Sequence, residues 1–368
     1  MASEPTTRCK SLGIDPAATS YSVRVAAKGT AHEFACVEGE RILYAGLRAG
    51  VALAYECASG TCGTCKASLV SGETAYAWPE APGRKYAKET RHEVLTCQSV
   101  AHSSVELQIA NFNDPNRPRF VPRYLRGRFA RTKKLTDDVM AFGVLLDEPI
   151  AFEAGQFVLL EVDDVMGARS YSMVNFEPET NDLQFLVKRL PGGKFTEWVF
   201  AQGDRLEGQP VRVFGPLGRA TFDPSTIRHV VCIAGGSGIA GMMSILAHAA
   251  REDHFAVHDA RVYFGVRTAQ DAFYLEELRE HARRFPGKVR IVIGLSHEEP
   301  SDDVRARHPE LEFDQGFIHD VAKRSLGAAP ADTMVYVAGP PPMVEAALRM
   351  LLLEMKHSGT AIRYDKFS

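Results

Sequence analysis

The sequence predicts a multi-domain chain of the β and α/β classes: a small β-rich module, then an antiparallel β-barrel, then an α/β domain on a parallel sheet. Three observations predict it. At 368 residues the chain exceeds the usual size of one hydrophobic core. Up to about residue 226 the apolar residues fall in short alternating runs between turn residues. From residue 227 onward strand-like runs alternate with helix-like ones, the pattern that winds a parallel sheet.

Composition narrows the classes of function. Apolar residues make up 45% and charged residues 24%, the balance of a soluble globular protein. A formal charge of -3 offers nothing to nucleic acid or an anionic membrane. No stretch reaches 18 uninterrupted apolar residues, and the first twenty lack the apolar region of a signal peptide, so a cytoplasmic protein is expected. Seven cysteines without a secretion signal argue for metal binding or catalysis over a disulfide scaffold.

Within the first module, residues 20–112, "YECASGTCGTCKASL" gathers three thiols on one small loop, and "VLTCQSV" supplies a fourth. The pattern is Cys57-x4-Cys62-x2-Cys65-x31-Cys97, the spacing of a plant-type 2Fe-2S centre. Two irons and two sulfides need four thiolates converging from a tight loop and a remote strand. Gly60 and Gly63 let that loop curl so that amides face the sulfurs. Structural zinc is the alternative, though its four-cysteine sites usually come as two short knuckles. Cys9, Cys36 and Cys232 fall outside the pattern, and Cys232, in the apolar run "HVVCIAGG", reads as a core residue.

Residues 113–122 read as a proline-bounded linker running into a strand. The stretch 113–135 holds eight basic residues against one Asp, but no base-stacking pattern, so a solvated or phosphate-facing strand is expected and not a nucleic-acid site.

Residues 123–226 supply the barrel, through "FGVLLD", "FVLLEV" and "LQFLVKRL". Within it "ARSYSMVN" offers Arg169 for a phosphate, Tyr171 as an aromatic plate for an isoalloxazine ring, and Ser172 as a hydroxyl near the reactive flavin nitrogen. Downstream, "VKRLPGGKFTEWV" brings Val187 and Lys188 to a glycine turn, where Gly193, Lys194 and Thr196 open a helix suited to a pyrophosphate.

Residues 227–368 begin with "HVVCIAGGSGIAGMMSILAHAA", a strand, a turn at Gly235, Gly236, Ser237 and Gly238, and a helix. Such a turn admits a diphosphate to the helix N-terminus. Further strand-helix units follow, the last carrying Ala338, Gly339 and Pro340 in "AGPPPM". His254 and His258 lie four apart with no third ligand nearby in sequence, and read as solvated histidines.

In this order the motifs resemble the ferredoxin-NADP reductase superfamily with an N-terminal plant-type ferredoxin domain, and more narrowly the reductase component of bacterial multicomponent oxygenases. The resemblance implies a β-grasp ferredoxin domain, a flavin-binding barrel and a nicotinamide-binding α/β domain. It implies FAD between Arg169-Tyr171-Ser172 and the Gly193–Thr196 turn, and a nicotinamide dinucleotide on Gly235 to Gly238 and Ala338 to Pro340. It also implies an aromatic near the C-terminus over the flavin, with Phe367 the first candidate and Tyr364 the second. Many members carry cysteine where this chain has Ala338, so looser nicotinamide docking is expected here. Relatives using NADPH place a Ser-Arg pair where this chain reads Ser296, His297, Glu298, Glu299; two carboxylates repel a 2'-phosphate, so NADH is expected. Arg267 remains a candidate phosphate contact. Free ferredoxins of this type are usually acidic, whereas residues 1–112 hold 11 basic and 11 acidic residues, as suits a module tethered to its donor.

The function expected is an NADH-dependent iron-sulfur flavoprotein reductase, monomeric by itself. It would deliver single electrons to an oxygenase, either a di-iron monooxygenase or a Rieske dioxygenase, in a transient complex. The alternatives are a reductase for a non-oxygenase acceptor, such as a deoxysugar pathway enzyme, and a redox sensor that does not turn over.

Overall fold

The computed structural model describes residues 18–113, 119–227, 229–327 and 332–366; Cys9 and Phe367 lie outside them. By compactness the chain divides into two units. The first comprises residues up to Gly127 with Val158–Ser170 and Pro210–Leu217, the second Arg128–Phe157, Tyr171–Gln209 and the remainder from Gly218.

In the N-terminal module β1 (Ser20–Ala27) and β2 (Thr30–Val37) form an antiparallel hairpin. Its two turn residues, Lys28 and Gly29, both have positive φ, which matches the turn to the twist of the strands. Then come α1 (Ile42–Arg48), β3 (Lys66–Ser71), β4 (Thr74–Tyr76), β5 (Glu93–Leu95), β6 (Ser99–Ala101) and β7 (Val105–Gln108). The sheet runs β2-β1-β7-β3-β5, with β7 parallel to β1, and β4 and β6 pair separately. All but the last residue of α1 is buried, and Gly46 lets Leu53 and Phe34 come within about 3 Å of where a Cβ would stand.

Next come β8 (Arg123–Lys134), β9 (Val139–Ile150), β10 (Phe157–Glu161), β11 (Arg169–Ser172), β12 (Thr180–Lys188), α2 (Lys194–Gln202) and β13 (Pro210–Leu217). They build a curled antiparallel sheet ordered β11-β10-β13-β8-β9-β12. Just past β11, the Val174 N–H donates to the Gln184 carbonyl of β12 at 2.8 Å, which curls the two end strands together as the barrel pattern predicts.

The C-terminal part alternates strand and helix: β14 (His229–Gly235), α3 (Ile239–Arg251), β15 (Ala260–Val266), α4 (Leu275–Arg284), β16 (Val289–Leu295), α5 (Asp302–Arg307) and β17 (Glu312–Gln315). There follow α6 (Ile318–Leu326), β18 (Thr333–Gly339), α7 (Pro341–Arg349) and β19 (Ile362–Lys366). The sheet is parallel throughout, ordered β17-β16-β15-β14-β18-β19. Near-continuous apolar strands such as Val231, Ile233, Val335 and Val337 are packed under Ile318, Val321 and Val344, as a sheet covered by helices requires. Strand order reverses between β14 and β18, the point at which such sheets hold ligands.

Candidate functional site

The cysteine loop follows Tyr55 and turns inward through three positive-φ residues, Ala58, Gly60 and Gly63. A Cβ on Gly63 would stand 2.7 Å from the Tyr86 ring, and one on Gly60 would stand 2.8 Å from the Gln98 amide nitrogen, so both glycines are sterically required. From α1, the Tyr44 hydroxyl donates to the Ala58 carbonyl at 2.9 Å and holds the loop in place.

The Cys57 side chain adjoins that of Cys62, and the Cys97 side chain that of Cys65. Within the first pair the Cys62 side chain holds Cys57 down to about 4, and Cys62 is pushed up in return. Cys97 is raised by its bond to Cys65 and by burial. The N–H groups of Cys62 and Thr64 lie 3.4 and 3.5 Å from the Cys57 and Cys62 sulfurs.

A further observation fits a bound cluster. Gln98, next to Cys97, is fully buried, and both polar atoms of its side chain lack a hydrogen-bond partner in the protein while lying against Gly60. A buried amide without partners costs about 1–3 kcal/mol, and a sulfide of the cluster would accept from it. Cys36 and Cys232 are buried elsewhere, Cys36 with its thiol pushed up to about 12 by burial.

At the start of β11, the Arg169 guanidinium donates to the carbonyls of Met166, Gly167 and Ala168 and lies against the Trp78 ring, 4.5 Å from its centre. Tyr171 sits between Phe142 and Phe195, with ring centres 6.3 and 5.4 Å away. Ser172 is buried, and its Oγ is 3.8 Å from where a Cβ on Gly241 of α3 would stand. The end of the proposed flavin strand therefore meets the helix that leaves the second glycine turn.

Around the first glycine turn, the Val187 side chain is in the core and Lys188 pairs with Asp138 at 3.2 Å. The Thr196 hydroxyl accepts from Leu190 N–H at 3.1 Å and lies 3.0 Å from the Gly193 carbonyl, so it fastens its own turn. Gly192 and Gly236 have positive φ and nothing within 4 Å of where a Cβ would stand, leaving open backbone just before α2 and α3. That is the opening a diphosphate needs.

At the sheet's reversal point the second and third motifs interlock. A Cβ on Gly238 would stand 2.2 Å from the Ala338 carbonyl, and one on Gly339 would stand 3.0 Å from the Gly235 carbonyl. Ala338 is buried and pairs in register with Ala234. Arg267 is engaged by Asp138 and Asp271 at 3.3 and 3.1 Å. β19 runs parallel to β18 and carries the half-exposed Tyr364.

A cleft of about 670 Å³ lies at the carboxyl ends of β16 and β17, lined by Ser296, Phe317, Lys323 and Arg324 among others. Lys323 pairs with Glu354 and Arg324 with Asp314. Beside the cleft, Glu298 accepts the Ala269 N–H at 2.6 Å. The reading of solvated histidines is corrected at His254, which is buried on a short turn, 5.2 Å from the Phe222 ring and 4.5 Å from His258.

Three family descriptions match the chain in the same order: a 2Fe-2S iron-sulfur cluster binding domain over 25–102, an oxidoreductase FAD-binding domain over 127–222 and an oxidoreductase NAD-binding domain over 232–349. The ferredoxin–NAD(P)(+) reductase CarAd of Metapseudomonas resinovorans is 33% identical over 321 residues, 86% of this chain and 92% of that one. The chain belongs to the reductase-component family of multicomponent oxygenases. This reductase is also 32% identical to the ferredoxin–NAD(+) reductase component of the Xanthobacter autotrophicus alkene monooxygenase system, over 91% of this chain and 97% of that one. Among solved structures, the ferredoxin reductase in carbazole 1,9a-dioxygenase matches with a TM-score of 0.79 and 30% identity, covering 95% of this reductase and 99% of that chain. The cofactor classes expected from the four motifs are thus those of the reductase: a 2Fe-2S centre, FAD and a nicotinamide dinucleotide. No helix among its described residues is long and apolar enough to cross a membrane.

Sequence reasoning named the four cysteines and the glycine turns, but not Tyr44, Trp78 or Gln98, which the structure places against the residues it named. Only Gln98 had a signal, its position next to the fourth cysteine.

Proposed function

We propose that the reductase takes reducing equivalents from NADH and passes single electrons to the metal centre of an oxygenase component. The observation that carries this reading is the cysteine loop curled through the positive-φ Gly60 and Gly63 with the unpartnered buried Gln98 amide against it, on the same chain as the open Gly192 and Gly236 turns. When bound, the dinucleotide and FAD supply hydride transfer, and the 2Fe-2S centre supplies one-electron steps.

The roles of the chain's own residues follow from their placement. Tyr44 and the two loop glycines hold the four thiolates, and Gln98 donates to the centre they bind. Arg169 and Tyr171 hold the flavin's phosphate and ring, Gly193 and Lys194 present the helix amides, and the buried Ser172 places its hydroxyl on the flavin side of α3. Gly235 to Gly238 and Ala338 to Pro340 seat the nicotinamide half, where geometry counts for more than proton transfer. We assign the modules to 20–112, 123–226 and 227–368, and the protein to the cytoplasm, where the unbridged thiols of Cys36 and Cys232 are compatible with a reducing medium.

The test is stoichiometry with a one-electron acceptor such as cytochrome c. Two equivalents reduced per NADH, with loss of that transfer in Cys62→Ser, support the reading. Acceptor left oxidised while NADH is consumed contradicts it.

A further inference from the structure

We propose that the rim over the exposed edge of the cysteine loop is the docking surface for the electron acceptor, and that the acceptor presents an acidic protein face to it. The proposal rests on the cluster reading above. Of the four ligand cysteines, Cys62 alone is partly exposed, so the short route out of the cluster opens beside it. Segment 82–92 forms the rim there: the Gly83 N–H donates to the Gly60 carbonyl at 2.8 Å, and the Tyr86 ring lies over Gly63.

The rim's charge is out of proportion to its module. It carries four basic residues, Arg84, Lys85, Lys88 and Arg91, against Glu89, while residues 1–112 as a whole hold 11 basic and 11 acidic residues. Among the described residues Lys85, Lys88 and Arg91 make no salt bridge, and all three are exposed. Tyr86, 47% exposed beside them, offers a rigid aromatic anchor. Unpaired cations around an aromatic steer an anionic partner and orient it.

The test uses one haem protein in two charge states: basic cytochrome c, and the same protein with its lysines succinylated. The holoenzyme, with NADH and at low ionic strength, is expected to reduce the succinylated form about tenfold faster, with an advantage that fades as salt rises toward 0.5 M. Binding without NADH, measured by calorimetry, should follow the same order. In Lys85→Glu, Lys88→Glu, Arg91→Glu both preferences should invert, while bleaching of the flavin and the reduced-cluster resonance signal with NADH stay as in the parent. A parent that favours the basic form, or a triple variant that keeps the parent's preference, overturns the docking surface. Failure of the parent's own cluster to reduce would instead overturn the cluster reading beneath it.

Discussion

The Trp78 ring and the Arg169 guanidinium lie against each other, 4.5 Å from charge centre to ring centre, although 90 residues separate them in sequence. The same ring covers Gly167, where a Cβ would come within 2.7 Å of it. A tryptophan of the cluster module thus fixes the arginine that opens the flavin strand. Trp78→Ala removes a buried ring worth about 3–5 kcal/mol and the cation–π contact of about 0.5–2 kcal/mol. The expected outcome is a lower melting temperature together with an FAD dissociation constant raised about tenfold, both largely restored in Trp78→Phe. Unchanged FAD affinity at a lowered melting temperature would detach Arg169 from the flavin.

Arg41 and Glu161 form a buried ion pair at 3.5 Å, each 4% exposed, with Arg212 3.8 Å from the other Glu161 oxygen. Removing one partner of such a pair costs about 3–5 kcal/mol, because the other charge stays buried, while replacing both costs far less. Urea unfolding of Arg41→Met, Glu161→Met and the double variant should therefore show the double to be more stable than Arg41→Met alone. Single variants within about 1 kcal/mol of the parent would mean that water reaches the pair.

These two contacts mark the limit of what the sequence discloses. The spacing of Cys57, Cys62, Cys65 and Cys97 could be read directly as that of a 2Fe-2S domain, the family description that matches 25–102. The glycine turns and the parallel sheet could also be read, because steric need and apolar runs leave local traces. Trp78 on Arg169 and Tyr44 on the Ala58 carbonyl left none: each joins residues from different elements, and neither partner departs from an ordinary core or surface pattern. His254 was misread for a related reason, since its burial comes from Phe222, 32 residues away in sequence. Thr196 looked like a ligand for a phosphate, but its hydroxyl is bonded within its own turn.

Gln98 separates stability from redox tuning. In Gln98→Leu an unpartnered buried amide is replaced by an apolar group of similar size, so the apoprotein should be no less stable than the parent. The reduction potential of the cluster should fall, since a donor to its sulfides is lost. Potentiometry followed by electron paramagnetic resonance measures it, and an unmoved midpoint would show that the amide does not reach the cluster.

We expect charge near the cleft to set dinucleotide choice: Glu298 is anchored by the Ala269 N–H, and Lys323 and Arg324 already have carboxylate partners, so a 2'-phosphate seated there would meet net repulsion. Steady-state kinetics should give kcat/KM at least about tenfold higher for NADH than for NADPH. In Glu298→Gln with Glu299→Gln that ratio should narrow, chiefly through a lower KM for NADPH. A parent that favours NADPH would assign the cleft's cations, and Arg267, to the phosphate.

The most direct measurement is anaerobic titration of the purified protein with NADH, followed by absorbance and by electron paramagnetic resonance. Bleaching of the flavin together with a rhombic signal from a reduced 2Fe-2S centre is the expected result, and it demonstrates the whole path from dinucleotide to cluster. Bleaching without that signal would contradict it, and would mean that Cys57, Cys62, Cys65 and Cys97 do not hold a working centre.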